Sequence, residues 1–227
     1  MAFDVSPPRD CPACPRLVRY RAENRAQFPD WSNAPVESFG DRDARVLIVG
    51  LAPGLRGANR TGRPFTGDYA GELLYDTLGR FGFAAGAYDR RADDGFRLVD
   101  CAIANAVRCA PPQNKPTPQE IAACRTYLTQ SLEALPRLGV VLALGRVAHE
   151  TVLRALGARP AVFPFAHGAR HPIRPGGPIL FDSYHCSRYN TNTGVLTAAM
   201  FGEVIASIRR ELDERHLPAC GEKAAAT

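Results

Sequence analysis

The chain has 227 residues, 45% of them hydrophobic, and a formal net charge of +5 carried largely by arginine. That length supports one good-sized domain with a proper core, and no apolar run is long enough to cross a membrane. The modest positive excess is compatible with a phosphate-rich partner and names none by itself.

The start, Met1-Ala2-Phe3-Asp4, lacks a charged stretch followed by an apolar one, so no signal peptide is expected. The seven cysteines are then expected to be reduced thiols or metal ligands rather than disulfides. Four of them form a pattern: Cys11-x-x-Cys14 between prolines near the start, then Cys109, then Cys124. Cys101, Cys186 and Cys220 are left over. A flexible arm, a strand exit and a helix can bring four thiolates to one centre, which suits structural zinc or an iron–sulfur cluster. Free cysteines are the plain alternative, and spacing does not choose between zinc and iron.

Short apolar runs rich in Val, Ile and Leu predict strands over 45–50, 98–107, 140–144 and 179–183. Helical patterns fall between them at 69–81, 118–135 and 146–156, and an amphipathic one follows at 193–212. The second opens on a capping box, Thr117-Pro118-Gln119-Glu120, with proline at the first helical position. Continuous apolar strands alternating with helices indicate an α/β fold with a parallel sheet covered on both faces. Residues 217–227 read as a disordered tail.

Ligands of such sheets gather at the carboxyl ends of the strands. The loop after the first strand has neither a Walker A sequence nor a GxGxxG fingerprint, but it carries glycines and Arg56, Arg60 and Arg63. Phe65, between Pro64 and Thr66, is placed to stack on a planar ligand or to close the loop as a core aromatic. Asn105 ends the second strand, where its amide can read the edge of a base or cap a turn. His185 follows the fourth strand, a position suited to stabilising developing negative charge. The third strand end, Gly145-Arg146, reads as a plain start to a helix.

These stretches resemble the uracil-DNA glycosylase superfamily, specifically its family 5 (type B). The matching segments are GLAPG (50–54), NRTGRPFTGD (59–68), NAVRCAPPQNKPTPQE (105–120), FAHGARH (165–171) and SYHCSRYNTNTG (183–194). Family 4 instead places an acidic residue beside the alanine of the first motif. The resemblance implies a three-layer α/β/α sandwich with a central four-stranded parallel sheet over residues 1–216. It also implies a [4Fe-4S] cluster on Cys11, Cys14, Cys109 and Cys124, of structural role.

The activity implied is excision of uracil from DNA, with hypoxanthine and other deaminated bases as further substrates. The base leaves the stack to enter the pocket. Phe65 would stack on it, Ala52 would line the pocket, Asn105 would read its edge and His185 would hydrogen-bond the leaving base. Arg56, Arg60 and Arg63 would meet phosphates, while Arg188 and Tyr189 would wedge into the duplex. Ala52 cannot activate water, which leaves Asp68 as a base, or as a plain helix cap, and Asn59 as a water-orienting amide. Where the family has His-Pro-Ser, this chain has His185-Cys186-Ser187, which is expected to free that loop and add a backbone donor. A monomer working on DNA in the cytoplasm, at the nucleoid, is expected. Two alternatives stay open: a base-binding module of the same fold with little turnover, and a zinc-stapled phosphohydrolase.

Overall fold

The computed structural model describes residues 6–215, so the tail expected over 217–227 lies outside the described residues. Helix α1 (Pro15–Gln27) comes first, then the short strand β1 (Phe39–Gly40) and the buried strand β2 (Val46–Gly50). The loop beyond β2 holds one helical turn, α2 (Ala58–Thr61), and leads into α3 (Tyr69–Arg80). A small ribbon, β3 (Ala84–Ala85) with β4 (Arg97–Leu98), precedes β5 (Cys101–Asn105) and α4 (Pro118–Glu133). Then come β6 (Val140–Leu144), α5 (Arg146–Ala155), β7 (Arg170–Pro172), β8 (Ile179–Ser183), the short α6 (Arg188–Asn192) and α7 (Ala198–Glu214).

The centre of the sheet is four parallel strands in the order β5-β2-β6-β8, paired Val46 with Cys101, Val46 with Val140, and Val140 with Ile179. Every residue of these strands is buried, which is why they appear in the sequence as unbroken apolar runs. Val46 and Ile48 pack on one face with Leu74 of α3 and Ile205 of α7. Leu47 and Val49 pack on the other with Leu128 of α4 and Val152 of α5. The result is the expected α/β/α sandwich.

The sheet is wider than expected, because β1 and β7 add antiparallel edges. They are two and three residues long, too short to leave a readable period, and Pro172 ends the outer one. The run predicted over 98–107 is also broken. Asp100 takes a left-handed conformation (φ +55) while its carboxylate accepts from the Arg45 guanidinium (Nε to Oδ2, 2.8 Å), so β4 and β5 are separate. Gly194 (φ +72) likewise delays the last helix to Ala198, behind its cap Thr197. Helix α1 was not foreseen, since its largely polar sequence buries only Leu17, Arg21 and Asn24.

Strand β8 ends at the site described below and is braced from two sides. Asp182, wholly buried, holds His149 of α5 through Oδ1 (2.7 Å to Nδ1) and His171 of β7 through Oδ2 (2.9 Å to Nε2). His149 Nε2 lies 2.8 Å from the Phe163 carbonyl oxygen. Asp182→Ala would strand two buried imidazoles and is expected to lower unfolding free energy by about 3–5 kcal/mol in urea titrations, with the far-ultraviolet spectrum of the native state retained.

Candidate active site and cysteine centre

The carboxyl ends of β2 and β5 and the segment after β8 surround a cavity of about 560 Å³. Ala52, Arg56, Phe65, Asp68, Asn105, His185 and Arg188 all line it, so seven of the residues singled out from the sequence come together. Gly50 makes the closest of these approaches possible. A Cβ there would lie 2.5 Å from Asn105 Oδ1 and 2.6 Å from the Phe65 ring. Phe65 is buried with φ +50, and its ring stacks beside His185 at 5.9 Å between centroids.

The loop is held from behind. Tyr75 donates its hydroxyl to the Pro64 carbonyl, and Tyr88 donates to the Phe65 carbonyl at 3.2 Å. Arg63 is part of this scaffold and not a phosphate contact. Its buried guanidinium forms a paired contact with Asp94, both at 2.8 Å, among the rings of Phe39, Tyr75, Tyr88 and Phe96. Asn59 needs a similar correction. It is buried and donates to Asn33 Oδ1 at 2.9 Å outside the cavity lining, so it orders the loop and orients no water in the pocket. Arg60 stays exposed, its Nε donating to the Arg56 carbonyl at 3.0 Å. Arg188 is exposed and lies over the Tyr69 ring at 5.3 Å, while Tyr189 is 74% exposed. Tyr69, Ser187 and Asn114 also line the cavity. They lay inside quoted motifs or beside Asp68, but nothing local marked them.

Burial acts oppositely on the two titratable groups. It draws the His185 pKa down to about 4, so the imidazole is neutral at physiological pH. It pushes the Asp68 carboxyl up, a shift partly offset by the amides of Gly71 and Ala70. Asp68 sits at the cap position of α3 without a side-chain capping bond, and its buried Oδ1 has no partner among the described residues. Gly57 makes room for it, since a Cβ there would meet Asp68 Oδ2 at 2.3 Å. Cys186 changes the expectation for its loop. The residue is wholly buried in the main core, where burial raises its thiol pKa to about 12, so it anchors the chain beside His185. Asn190 adds a bond to the His185 carbonyl at 2.8 Å.

Cys11, Cys14, Cys109 and Cys124 line a second, smaller cavity with Leu17, Arg21, Val107 and Tyr127. Burial raises the thiol pKa of Cys109 to about 11 and lifts those of Cys14 and Cys124. Two buried cations stand against that desolvation. Arg21 donates to Cys109 Sγ at 3.5 Å. Arg108 is fully buried, bonds only to the Ser38 and Ser131 hydroxyls (both 2.8 Å), and leaves Nε without a partner among the described residues. Its backbone N–H donates to Cys124 Sγ at 3.3 Å. Buried guanidinium groups without a carboxylate partner fit sulfur held as an anionic, ligand-bound thiolate.

The described residues contain no helix long and apolar enough to cross a membrane. The family profile of the Uracil DNA glycosylase superfamily matches residues 37–209. The chain is 48% identical over 206 residues to the type-5 uracil-DNA glycosylase of Thermus thermophilus, covering 88% of this chain and 93% of that protein. It is 42% identical over 200 residues to the type-5 uracil-DNA glycosylase of Pyrobaculum aerophilum, 86% of each chain. A type-4 uracil-DNA glycosylase of Archaeoglobus fulgidus is 37% identical over 118 residues, about half of either chain.

The His185 environment has a direct readout. Its ring resonances are expected to titrate with a midpoint near 4 by NMR, against 6.5 for an unperturbed histidine. Between those values the unfolded chain binds a proton that the native one does not. This residue's contribution to stability is therefore complete above pH 6.5 and falls as the pH drops toward 4.

Proposed function

The chain belongs to the uracil-DNA glycosylase superfamily, in family 5, and from that membership we propose that it hydrolyses the N-glycosidic bond of uracil in DNA, the first step of base excision repair. It is a monofunctional glycosylase. The observation that carries the reading is one cavity shared by Phe65, Asn105, a neutral His185 and Asp68.

The chemistry follows from those groups. A base turned out of the stack slides over the Phe65 ring, and the Asn105 amide reads its hydrogen-bonding edge. As the glycosidic bond stretches, charge develops on the departing base. The neutral imidazole of His185 donates a hydrogen bond to it, which stabilises that charge without full proton transfer. The Asp68 carboxylate takes the proton of the water that attacks the sugar, a role that its raised pKa favours. The same pocket accommodates hypoxanthine and related deaminated bases, because an amide presents both a donor and an acceptor. Arg56, Arg60 and Arg188 hold the phosphates and Tyr189 enters the gap left in the duplex. The enzyme is read as a single domain acting as a monomer on cytoplasmic, nucleoid DNA.

Cys11, Cys14, Cys109 and Cys124 would hold a [4Fe-4S] cluster, supported by their convergence on one small cavity and by the buried Arg108 and Arg21 beside them. When bound, it supplies a cross-link and compensating negative charge. Arg16, two residues past Cys14, then ties the arm to the start of α4 through Glu120 (2.7 and 2.8 Å).

A labelled duplex with one G·U pair tests the activity. Alkali-labile cleavage at uracil is expected, lowered about 10²–10³-fold by His185→Ala. A loss of about 10²-fold is expected for Gly50→Ala, whose Cβ displaces Phe65 and Asn105. Tight duplex binding without abasic-site formation would favour the binding-module reading. The purified protein should carry about four irons per chain, and Cys109→Ser should bleach it and lower its thermal midpoint. Stoichiometric zinc would overturn the cofactor assignment.

A further inference from the structure

Six non-glycine residues among those described have left-handed backbone angles, and two of them are consecutive, Gln113 and Asn114, both at φ +57, the second of which lines the cavity. They form the centre of a tight turn closed by Lys115 N–H donating to the Pro112 carbonyl at 3.1 Å. Two left-handed central residues define a type I′ turn, where glycine is favoured at the second position. This chain places asparagine there, with glutamine before it. The Asn114 side chain lines the cavity, is exposed, and makes no hydrogen bond to the described residues. The strain lies in Gln113 more than in Asn114, since asparagine tolerates this region, and strain kept beside a site wall points to a ligand contact.

The turn is rigid without a ligand. Asn114 N–H donates to the Pro111 carbonyl at 3.1 Å, and Arg16 donates to the Lys115 carbonyl at 3.0 Å while its other bonds grip Glu120. Glu120 closes the capping box with Thr117. Asn114 shares the cavity rim with the exposed cations Arg56 and Arg188, whereas Asn105 and Phe65 are buried at the floor where the base goes. A neutral donor on a positive rim suits the sugar–phosphate backbone and not the base edge.

We propose that Asn114 donates its side-chain amide to a phosphate oxygen beside the extruded nucleotide, and that the Gln113–Asn114 turn is strained to aim it there. The proposal rests on the glycosylase reading. It also predicts a contact that positions the strand without reading sequence.

Asn114→Gly tests it, because glycine keeps the turn and relieves its strain. Affinity is measured on a duplex carrying an uncleavable abasic-site analogue, so binding does not depend on turnover. The expected result is a thermal midpoint equal to or above that of the wild type, with affinity about 10-fold weaker or more, as for a lost bond to a charged group. The slope of log affinity against log salt should not change, whereas Arg56→Ala should reduce its magnitude by about 1. Replacing one flanking phosphate by a neutral methylphosphonate should erase the difference between wild type and variant at that position alone. Unchanged affinity for Asn114→Gly overturns the proposal, as does a difference that no phosphate replacement removes. Cleavage of the G·U duplex by the wild-type preparation reports separately on the glycosylase reading.

Discussion

Phe65 occupies a left-handed conformation that a bulky side chain normally avoids at a cost of about 1–2 kcal/mol. It persists because its surroundings leave no other place for it. Gly50 lets the ring and the Asn105 amide crowd against the end of β2, and Gly71 lets α3 rest on the Phe65 backbone, where a Cβ would lie 1.8 Å from the carbonyl oxygen. The Arg63–Asp94 pair and the hydroxyls of Tyr75 and Tyr88 lock the same loop from the far side. The ring is thereby fixed in the cavity wall without a ligand, so ordering it would not be charged against binding.

The second organising theme is the use of burial to set charge. Desolvation keeps His185 neutral and makes Asp68 a stronger base, although both line one cavity. An imidazole donor and a proton acceptor can then coexist near neutral pH. Elsewhere the fold compensates its buried charges: Asp94 is held well below the usual carboxylate range by the Arg63 guanidinium. Arg108, with only hydroxyl partners, and Arg21 differ in having no carboxylate partner among the described residues, and both lie against the four cysteines.

These two regions meet through the segment from Cys109 to Glu120. It leaves the cysteine centre, forms the Gln113–Asn114 turn at the pocket rim, and re-enters the core as α4, which carries Cys124. Arg16 clamps this segment from α1, directly after the Cys11–Cys14 arm. The four cysteines and the cavity wall are therefore joined through one short segment and its Arg16 clamp.

The sequence by itself determined the buried strands β6 and β8 to the residue, because two-sided burial demands contiguous apolar side chains. It also determined the capping box of α4, a purely local bond pattern, and which strand ends border the larger cavity. Two of its site assignments failed for one reason. Arg63 and Asn59 look free in a glycine-rich loop, but their partners Asp94 and Asn33 lie 31 and 26 residues away. The sequence likewise saw Cys186 only as a lost proline, where packing makes it an anchor. Residue types and local spacing specify what a side chain can do. Which polar group remains unpaired, and so available to a substrate, is decided by long-range packing, and only the tertiary structure contains that.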